Sequence, residues 1–466
     1  MFDRNSSIHL VGVGGIGMSG LAQLLRALGC RVSGSDRDMS SPENLRLFGL
    51  LEQQGITIFP QDGSFARAVR PDCVVYSTAV EEGNPDFAAI PDVPRIHRAA
   101  ALERAIGLYA ADGVTVAVSG SAGKTSVTSY LAEMLNLAGI DAGCLDGGMV
   151  RAFAAGVFPG NFHPGRRYFV FEADESDKSL LDYSVDYAII LNIGCDHYDE
   201  KELARVFGEF LRRVRKGVVL SDRVFAALSG MIPSGLTVRT LSEQRSPEQG
   251  SADYYVSAYG LSSGRAFAAV NNGATFELPQ PGVHTALNMT AVAAMLEMVG
   301  MDWNKLALLT GRVRGAARRF EFVGRCGGAA VYDDYAHNPQ KLGCCLTTAQ
   351  SLTPGGRVFM VWQPHGYRPL GFMSAELGAM LRETLRPQDV FMLLEPFYAG
   401  GSSSFSPHSA DVAAGWGIAN VIAPADRKAV ESYVSSRLAA GDILLICGAR
   451  DNSLPRWAGE FTGRKQ

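Results

Sequence analysis

The sequence predicts an α/β protein with mostly parallel sheets and three domains. Three observations carry this. Glycine-rich turns at Gly14 and Gly123 each follow an apolar strand and open a helix. Strands and helices alternate through the remainder of the chain. The 466 residues suffice for about three domains of ~150 residues each. The expected domains are residues 1–111, Rossmann-like; residues 112–312, a central P-loop domain; and residues 313–466, a further domain with a mostly parallel open sheet. No internal repeat is present, and the two glycine turns belong to different sheets.

The first element is a strand over residues 8–13, running into Gly12-x-Gly14-Gly15-x-Gly17. A helix follows with Met18, Leu21, Leu24, Leu25 and Leu28 at a 3.6-residue period. A second strand, residues 31–34, ends at Ser35-Asp36. Glycines for a close backbone approach, a helix N-terminus for a diphosphate and an acid about 20 residues on for a ribose hydroxyl make a dinucleotide-type fingerprint. The same turn also suits plain strand–helix packing. Residues 73–76 continue this sheet, and a helix over 99–109 leads to the turn Ala110-Ala111-Asp112-Gly113.

The central part opens on VAVSGSAGKTSVT, residues 116–128. A short buried strand reaches Gly120-Ser121-Ala122-Gly123, and Lys124-Thr125-Ser126 begins a helix. Backbone N–H groups and the helix N-terminus face an anion there. Lys124 neutralises β and γ phosphates, and the Thr125 hydroxyl can ligate Mg²⁺. The spacing GxxGKT is shorter than the usual P-loop, so a left-handed turn with a surface lysine is the competing reading. A strand over 168–171 ends in Glu172-Ala-Asp174-Glu175-Ser-Asp177. Four acids in six residues beside a phosphate cradle suit Mg²⁺. The strand over 187–192 ends near Asp196-His197, at the carboxyl edge where α/β sites collect. Residues 203–214 are amphipathic, 218–221 form a strand, and the polar run 242–252 reads as an exposed loop. Gly282-Val283-His284-Thr285 precedes an Ala- and Met-rich helix, 289–299, with Asn288 turned back to the site.

In the third part, Arg318-Arg319-Phe320-Glu321 precedes a strand over 329–332. Asp333-Asp334-Tyr335-Ala336-His337-Asn338-Pro339 is a polar corner entering a helix. A strand over 358–362 ends at Gln363-Pro364-His365-Gly366-Tyr367-Arg368. Strands over 390–394 and 442–447 complete the sheet.

Composition narrows the partners. A net charge of −4, with 47% apolar and 19% charged residues, gives no basis for nucleic-acid or membrane binding. No apolar run nears the ~18 residues of a membrane span. The N-terminus enters a strand directly rather than a signal peptide. Eight cysteines without a CxxC pair indicate neither zinc nor a disulfide framework. A cytoplasmic monomer or homodimer acting on small molecules is expected.

With these stretches located, the chain resembles the Mur ligase family, and most closely its alanine-adding branch. The resemblance rests on HLVGVGGIGMSGLAQLL…VSGSD, VVYSTAVEEGNP, EADESD, NIGCDHYD, RRFEF and DDYAHNP, six motifs in order along essentially the whole chain. It implies a UDP-sugar-binding first domain, a central ATPase and a Rossmann-like ligase domain. It implies ATP-dependent joining of L-alanine to the carboxylate of UDP-N-acetylmuramate through an acyl phosphate, in peptidoglycan precursor synthesis. By motif, Gly120, Ser121, Gly123, Lys124, Thr125, Ser126, Asn288, Arg319 and Asp334 are expected to bind ATP. Thr125, Glu172 and His197 are expected to hold Mg²⁺, with Lys124, Glu172, His197 and Arg319 catalytic. Gly14, Gly15, Ile16 and Gly17 would take the diphosphate, with Ser35 and Asp36 beside them. Tyr335, His337, His365 and Arg368 would face the amino acid.

Four departures from the family pattern stand out. Ala122 replaces a histidine in the phosphate loop, and Thr285 replaces an asparagine. After QPH, where relatives have arginines for the amino acid's carboxylate, only Arg368 is nearby. The run GARDNSLPRWA replaces the usual GAGD. A ligase adding another amino acid or a recycled peptide to the same acceptor is therefore the alternative within the family. Outside it stand an NAD-dependent oxidoreductase built on the Gly14 turn, which needs no second phosphate loop, and a non-catalytic nucleotide binder.

Overall fold

A computed structural model describes residues 2–175, 178–194, 199–242, 252–262, 264–398 and 405–463. The expected loop at 242–252 falls almost wholly outside them, as does His197. The chain divides into two compact units. The larger comprises Met1–Gly260, Ala266–Pro279 and His284–Ala317; the smaller consists mainly of the chain from Arg318 onward.

The larger unit contains two main sheets. The first is fully parallel, in the order Thr57–Pro60, Arg31–Asp36, Ser7–Val11, Cys73–Tyr76, Arg95–His97. Its first strand stops at Val11, two residues short of the expected end, because Gly12 takes a φ of 77° and turns the chain. The helix Ile16–Leu28 buries Met18, Leu21, Leu24, Leu25 and Leu28, the face its periodicity predicts.

The second sheet runs Thr237–Leu241, Val214–Ser221, Val185–Ile190, Val114–Ser119, Tyr168–Glu172, Ala142–Leu145, Phe162–His163. All pairs are parallel except the last. Val114–Ser119 lies in the middle, so the Lys124 loop leaves from the sheet's centre. The Ala- and Met-rich helix is Val283–Met298, starting six residues before the expected 289. It is apolar on nearly every face, and its buried residues run from Thr285 to Leu296.

One apolar core runs through both sheets of this unit. Leu21, Leu25 and Ile106 belong to the same packed cluster as Leu145, Phe162 and Phe169. The Tyr109 ring lies 5.4 Å from Phe169 and 6.3 Å from Phe162. Inside this contact sits the fully buried Asn161. Its amide donates to the Ile16 carbonyl at 2.8 Å and the Ser19 hydroxyl at 2.9 Å, and its oxygen accepts from Gln23 at 2.9 Å. Gln54 donates to the Val157 carbonyl at 2.8 Å. Every polar group so buried needs its partner.

The smaller unit holds a six-stranded sheet in the order Glu321–Cys326, Ala329–Asp334, Ile443–Gly448, Val358–Gln363, Val390–Leu393, Val421–Ile422. Only the first pair is antiparallel. The last strand in sequence, Ile443–Gly448, inserts between two earlier ones. Its Cys447 pairs with Asp334 on one side and Trp362 on the other. Three strands therefore end level where the connections diverge, the place where open α/β sheets bind ligands.

Among the described residues no helix is long and apolar enough to cross a membrane. The described cysteines are all free.

Candidate active site

In the first glycine turn the Gly14 N–H donates to Asp36 Oδ2 at 2.8 Å, and Asp38 N–H donates to Oδ1 at 3.0 Å. Asp36 thus closes the turn from the next strand. A Cβ on Gly14 would lie 2.8 Å from Asp36 Oδ2, so a larger residue would displace the carboxylate that closes the turn. Gly15 differs: its φ of −65° suits any residue, and an added Cβ would meet only the Gly12 carbonyl at 3.4 Å. Ile16 is partly exposed at the helix start. Ser35 is not at this surface. It is fully buried, its hydroxyl donating to Asp86 and lying 3.3 Å from His9 Nε2. A cation that sequence reasoning missed is Arg98, whose Nη1 would lie 3.3 Å from a Cβ on Gly17. Its distance along the chain hides it.

The second turn is locked from a neighbouring strand. Asn192 accepts from the Ala122 N–H at 2.8 Å and donates to its carbonyl at 2.9 Å, while Ser121 accepts from Gly194 N–H at 2.9 Å. Gly120 and Gly123 have φ values of 126° and 90°. Asn288 lies against this turn, with its amide oxygen 2.9 Å from where a Gly123 Cβ would stand. Lys124 Nζ donates to the Gly120 carbonyl and to Glu175 Oε2, each at 2.8 Å. Burial works against its charge, but Glu175 and Asp174 outweigh it and hold the ammonium above its usual pKa. Glu175, read only as one of four acids in a run, is thus the lysine's partner.

Thr125 and Glu172 meet at a turn that sequence reasoning overlooked, Gly147–Gly148. A Cβ on Gly147 would stand 2.9 Å from Glu172 Oε1, and one on Gly148 would stand 2.8 Å from Thr125 Cγ2. The Gly147 N–H donates to Glu172 at 2.7 Å. The signal was the Asp146-Gly147-Gly148 triplet, with Asp146 accepting from Gly148 N–H at 2.7 Å. Ser126 follows in the first turn of the helix Lys124–Leu137.

In the smaller unit both oxygens of Asp334 accept backbone N–H groups, from Phe320 and Ala336, each at 2.6 Å. The segment they hold is strained, since Arg318 and Phe320 have φ values of 58° and 46°. Arg319 lies over the Tyr335 ring, 5.4 Å from its centroid. His337 Nδ1 donates to the Tyr335 carbonyl at 3.0 Å, which leaves Nε2 as an acceptor. The rings of His337 and His365 meet edge to face at 5.4 Å. Arg368 is exposed in the first turn of the helix Tyr367–Thr384.

Burial pushes His337 down to about 3, aided by the Lys341 ammonium, and His365 down to about 4, aided by Arg450. Both rings are neutral near neutrality. The unfolded chain takes up these protons near pH ~6.5, the folded chain only at lower pH. Their contribution to stability is therefore intact above about pH 6.5 and is lost as the pH falls toward about 4. His337→Asn should lessen the drop in urea midpoint between about pH 7 and about pH 4.5. An identical drop in wild type and variant would show that the ring is not held neutral.

Three family models match successive parts of the chain. "Mur ligase family, catalytic domain" matches residues 7–109, "Mur ligase middle domain" residues 118–296, and "Mur ligase, glutamate ligase domain" residues 318–450. The UDP-N-acetylmuramate–L-alanine ligase of Kineococcus radiotolerans is 34% identical over 468 residues, covering 96% of this chain and 94% of that protein. The same-named protein of Renibacterium salmoninarum is 32% identical, covering 95% and 93%. The crystal structure of UDP-N-acetylmuramate–alanine ligase from Thermotoga maritima superposes with a TM-score of 0.78 at 23% identity, covering 98% of this chain and 99% of that one. On the strength of these full-length matches and a phosphate loop seated at the centre of its second sheet, the chain belongs to the Mur ligase family.

Proposed function

We propose that this chain is an ATP-dependent ligase joining L-alanine to the carboxylate of UDP-N-acetylmuramate, in the cytoplasm, as a step of peptidoglycan precursor synthesis. The observation that carries the reading is the full-length likeness to alanine-adding ligases at up to 34% identity in a chain that keeps the Lys124 cradle. Residues 1–111 are assigned to the UDP-sugar, 112–312 to ATP and 313–466 to the amino acid.

A carboxylate resists attack by an amine. Transfer of the γ-phosphoryl group of ATP onto it gives an acyl phosphate, and ADP leaves. The amine of alanine then adds to the acyl carbon, and the tetrahedral intermediate expels phosphate to leave the amide. Phosphoryl transfer asks the protein for positioning and charge neutralisation. Lys124 supplies the fixed positive charge, with Glu175 keeping it in place. Gly120, Ser121, Gly123 and Ser126 surround the phosphates, and Asn288 and Arg319 bind the nucleotide. Asp334 supports the segment carrying Arg319. The Gly14–Gly17 turn takes the diphosphate with Asp36 closing it, while Tyr335, His337 and His365 face the amino acid.

Thr125 and Glu172 carry the hard oxygens that Mg²⁺ prefers, and both lie against one turn, Thr125 through its methyl group and Glu172 through its carboxylate. His197 is assigned as a further ligand. The ion supplies charge neutralisation on the phosphates when bound.

The test is ADP release with UDP-N-acetylmuramate and a panel of amino acids. L-alanine should stimulate release most strongly. Hydroxylamine in place of the amino acid should give a hydroxamate, since it traps an acyl phosphate. Absence of acceptor-dependent ADP release with every amino acid would overturn the reading.

A further inference from the structure

We infer that Arg450 is the residue that binds the α-carboxylate of the incoming amino acid. The inference rests on the ligase reading and specifies its amino-acid subsite.

The strand register supplies the geometry. Asp334, Cys447 and Trp362 stand side by side at the ends of three adjacent parallel strands. Three residues past each lie His337, Arg450 and His365. The arginine therefore leaves the middle strand, flanked by the two strands that carry the histidines. The histidine rings already meet, with centroids 5.4 Å apart.

The backbone at Arg450 is unusual. Its φ is 63°, a left-handed conformation that favours glycine. The Asp451 N–H donates to the Ala449 carbonyl at 2.8 Å, closing a γ-turn with Arg450 at its centre. With positive φ this is the rare, strained form. The turn is pinned from behind. Asp451 accepts from Arg427 at 2.5 Å and from the Ser453 hydroxyl at 2.6 Å, and Arg427 also donates to Gln363 at 3.2 Å. Arg450 itself is exposed. A long cationic side chain at a glycine-type position, on a turn fixed by the buried Asp451 and its half-buried partners, marks strain retained for a purpose.

The surroundings fit an amino acid. A guanidinium binds both oxygens of a carboxylate. The nearest acid in sequence, Asp451, is engaged by Arg427 and Ser453. His365 Nδ1 is buried without a hydrogen-bond partner among the described residues. Arg368, the arginine that sequence reading favoured, instead occupies the second position of a helix.

Arg450→Gly tests this cleanly, because glycine relieves the left-handed backbone while removing the guanidinium. KM for L-alanine should rise by about 10- to 100-fold, the loss of a charge-assisted contact. KM for ATP and for the UDP-sugar should stay within about twofold, and the melting temperature should hold or rise. Wild type should prefer L-alanine to L-alaninamide, and the variant should lose that preference. Arg450→Lys should recover only part of the affinity. An unchanged L-alanine KM in Arg450→Gly, or a rise confined to Arg368→Ala, would overturn the inference. Wild-type enzyme without acceptor-dependent ADP release would instead overturn the ligase reading itself.

Discussion

Replacing Lys124 with alanine should lower substrate-dependent ADP release by about 10²-fold or more, the usual loss when a preorganised charge on a transferring group is removed. The same change strands Glu175, which is 4% exposed and paired to the lysine at 2.8 Å. A buried acid without its cation is destabilising, so the single variant should also melt at a lower temperature. Adding Glu175→Gln removes the stranded charge. The double variant should therefore regain thermal stability while remaining inactive. If the double variant recovered its rate along with its stability, Lys124 would be a structural ion-pair partner and the ATP assignment would fall.

Gly15→Val should raise KM for the UDP-sugar by about 10-fold or more and leave that for ATP near its wild-type value. Gly15 has no structural need of glycine. Its backbone angles are ordinary and an added Cβ would make only an ordinary contact with the Gly12 carbonyl at 3.4 Å, so a side chain there mainly obstructs what approaches from outside. Gly14→Ala makes the contrast, because its Cβ would collide with Asp36 Oδ2 and open the turn itself. Equal changes in both constants for Gly15→Val would argue against two separate nucleotide sites. NADH binding at this turn would favour an oxidoreductase.

The elements that the sequence displays best are those with local causes. The helix after Gly15 was legible from apolar spacing alone. The strand entering Gly12 was misjudged by two residues, because apolar Val13 continues the hydrophobic run past the glycine that turns it. The start of the helix at Val283 was missed because polar His284, Thr285 and Asn288 interrupt the apolar run, although Thr285 is buried. Site residues followed the same division. Lys124, Thr125 and Glu172 sit in recognisable motifs. Glu175, Arg98 and the Gly147–Gly148 turn take part through contacts that only folding creates. Arg450 was visible as a departure from a family pattern, but its neighbours came from strand register.

The buried amide of Asn161 bears on how the chain can be divided. Three hydrogen bonds tie it to the helix that follows the first glycine turn, and a continuous apolar core surrounds them. Residues 1–111 carry only one side of that contact. Expressed alone, they would expose the Tyr109 ring that packs on Phe162 and Phe169, and Gln23 would keep the Ser19 carbonyl but lose its Asn161 partner. Such a fragment should aggregate, whereas a piece ending near Ala317 keeps both sides. The first two sheets are in this sense a single inheritable block, and recombination between relatives should succeed at the Ala317–Arg318 junction more readily than at residue 111.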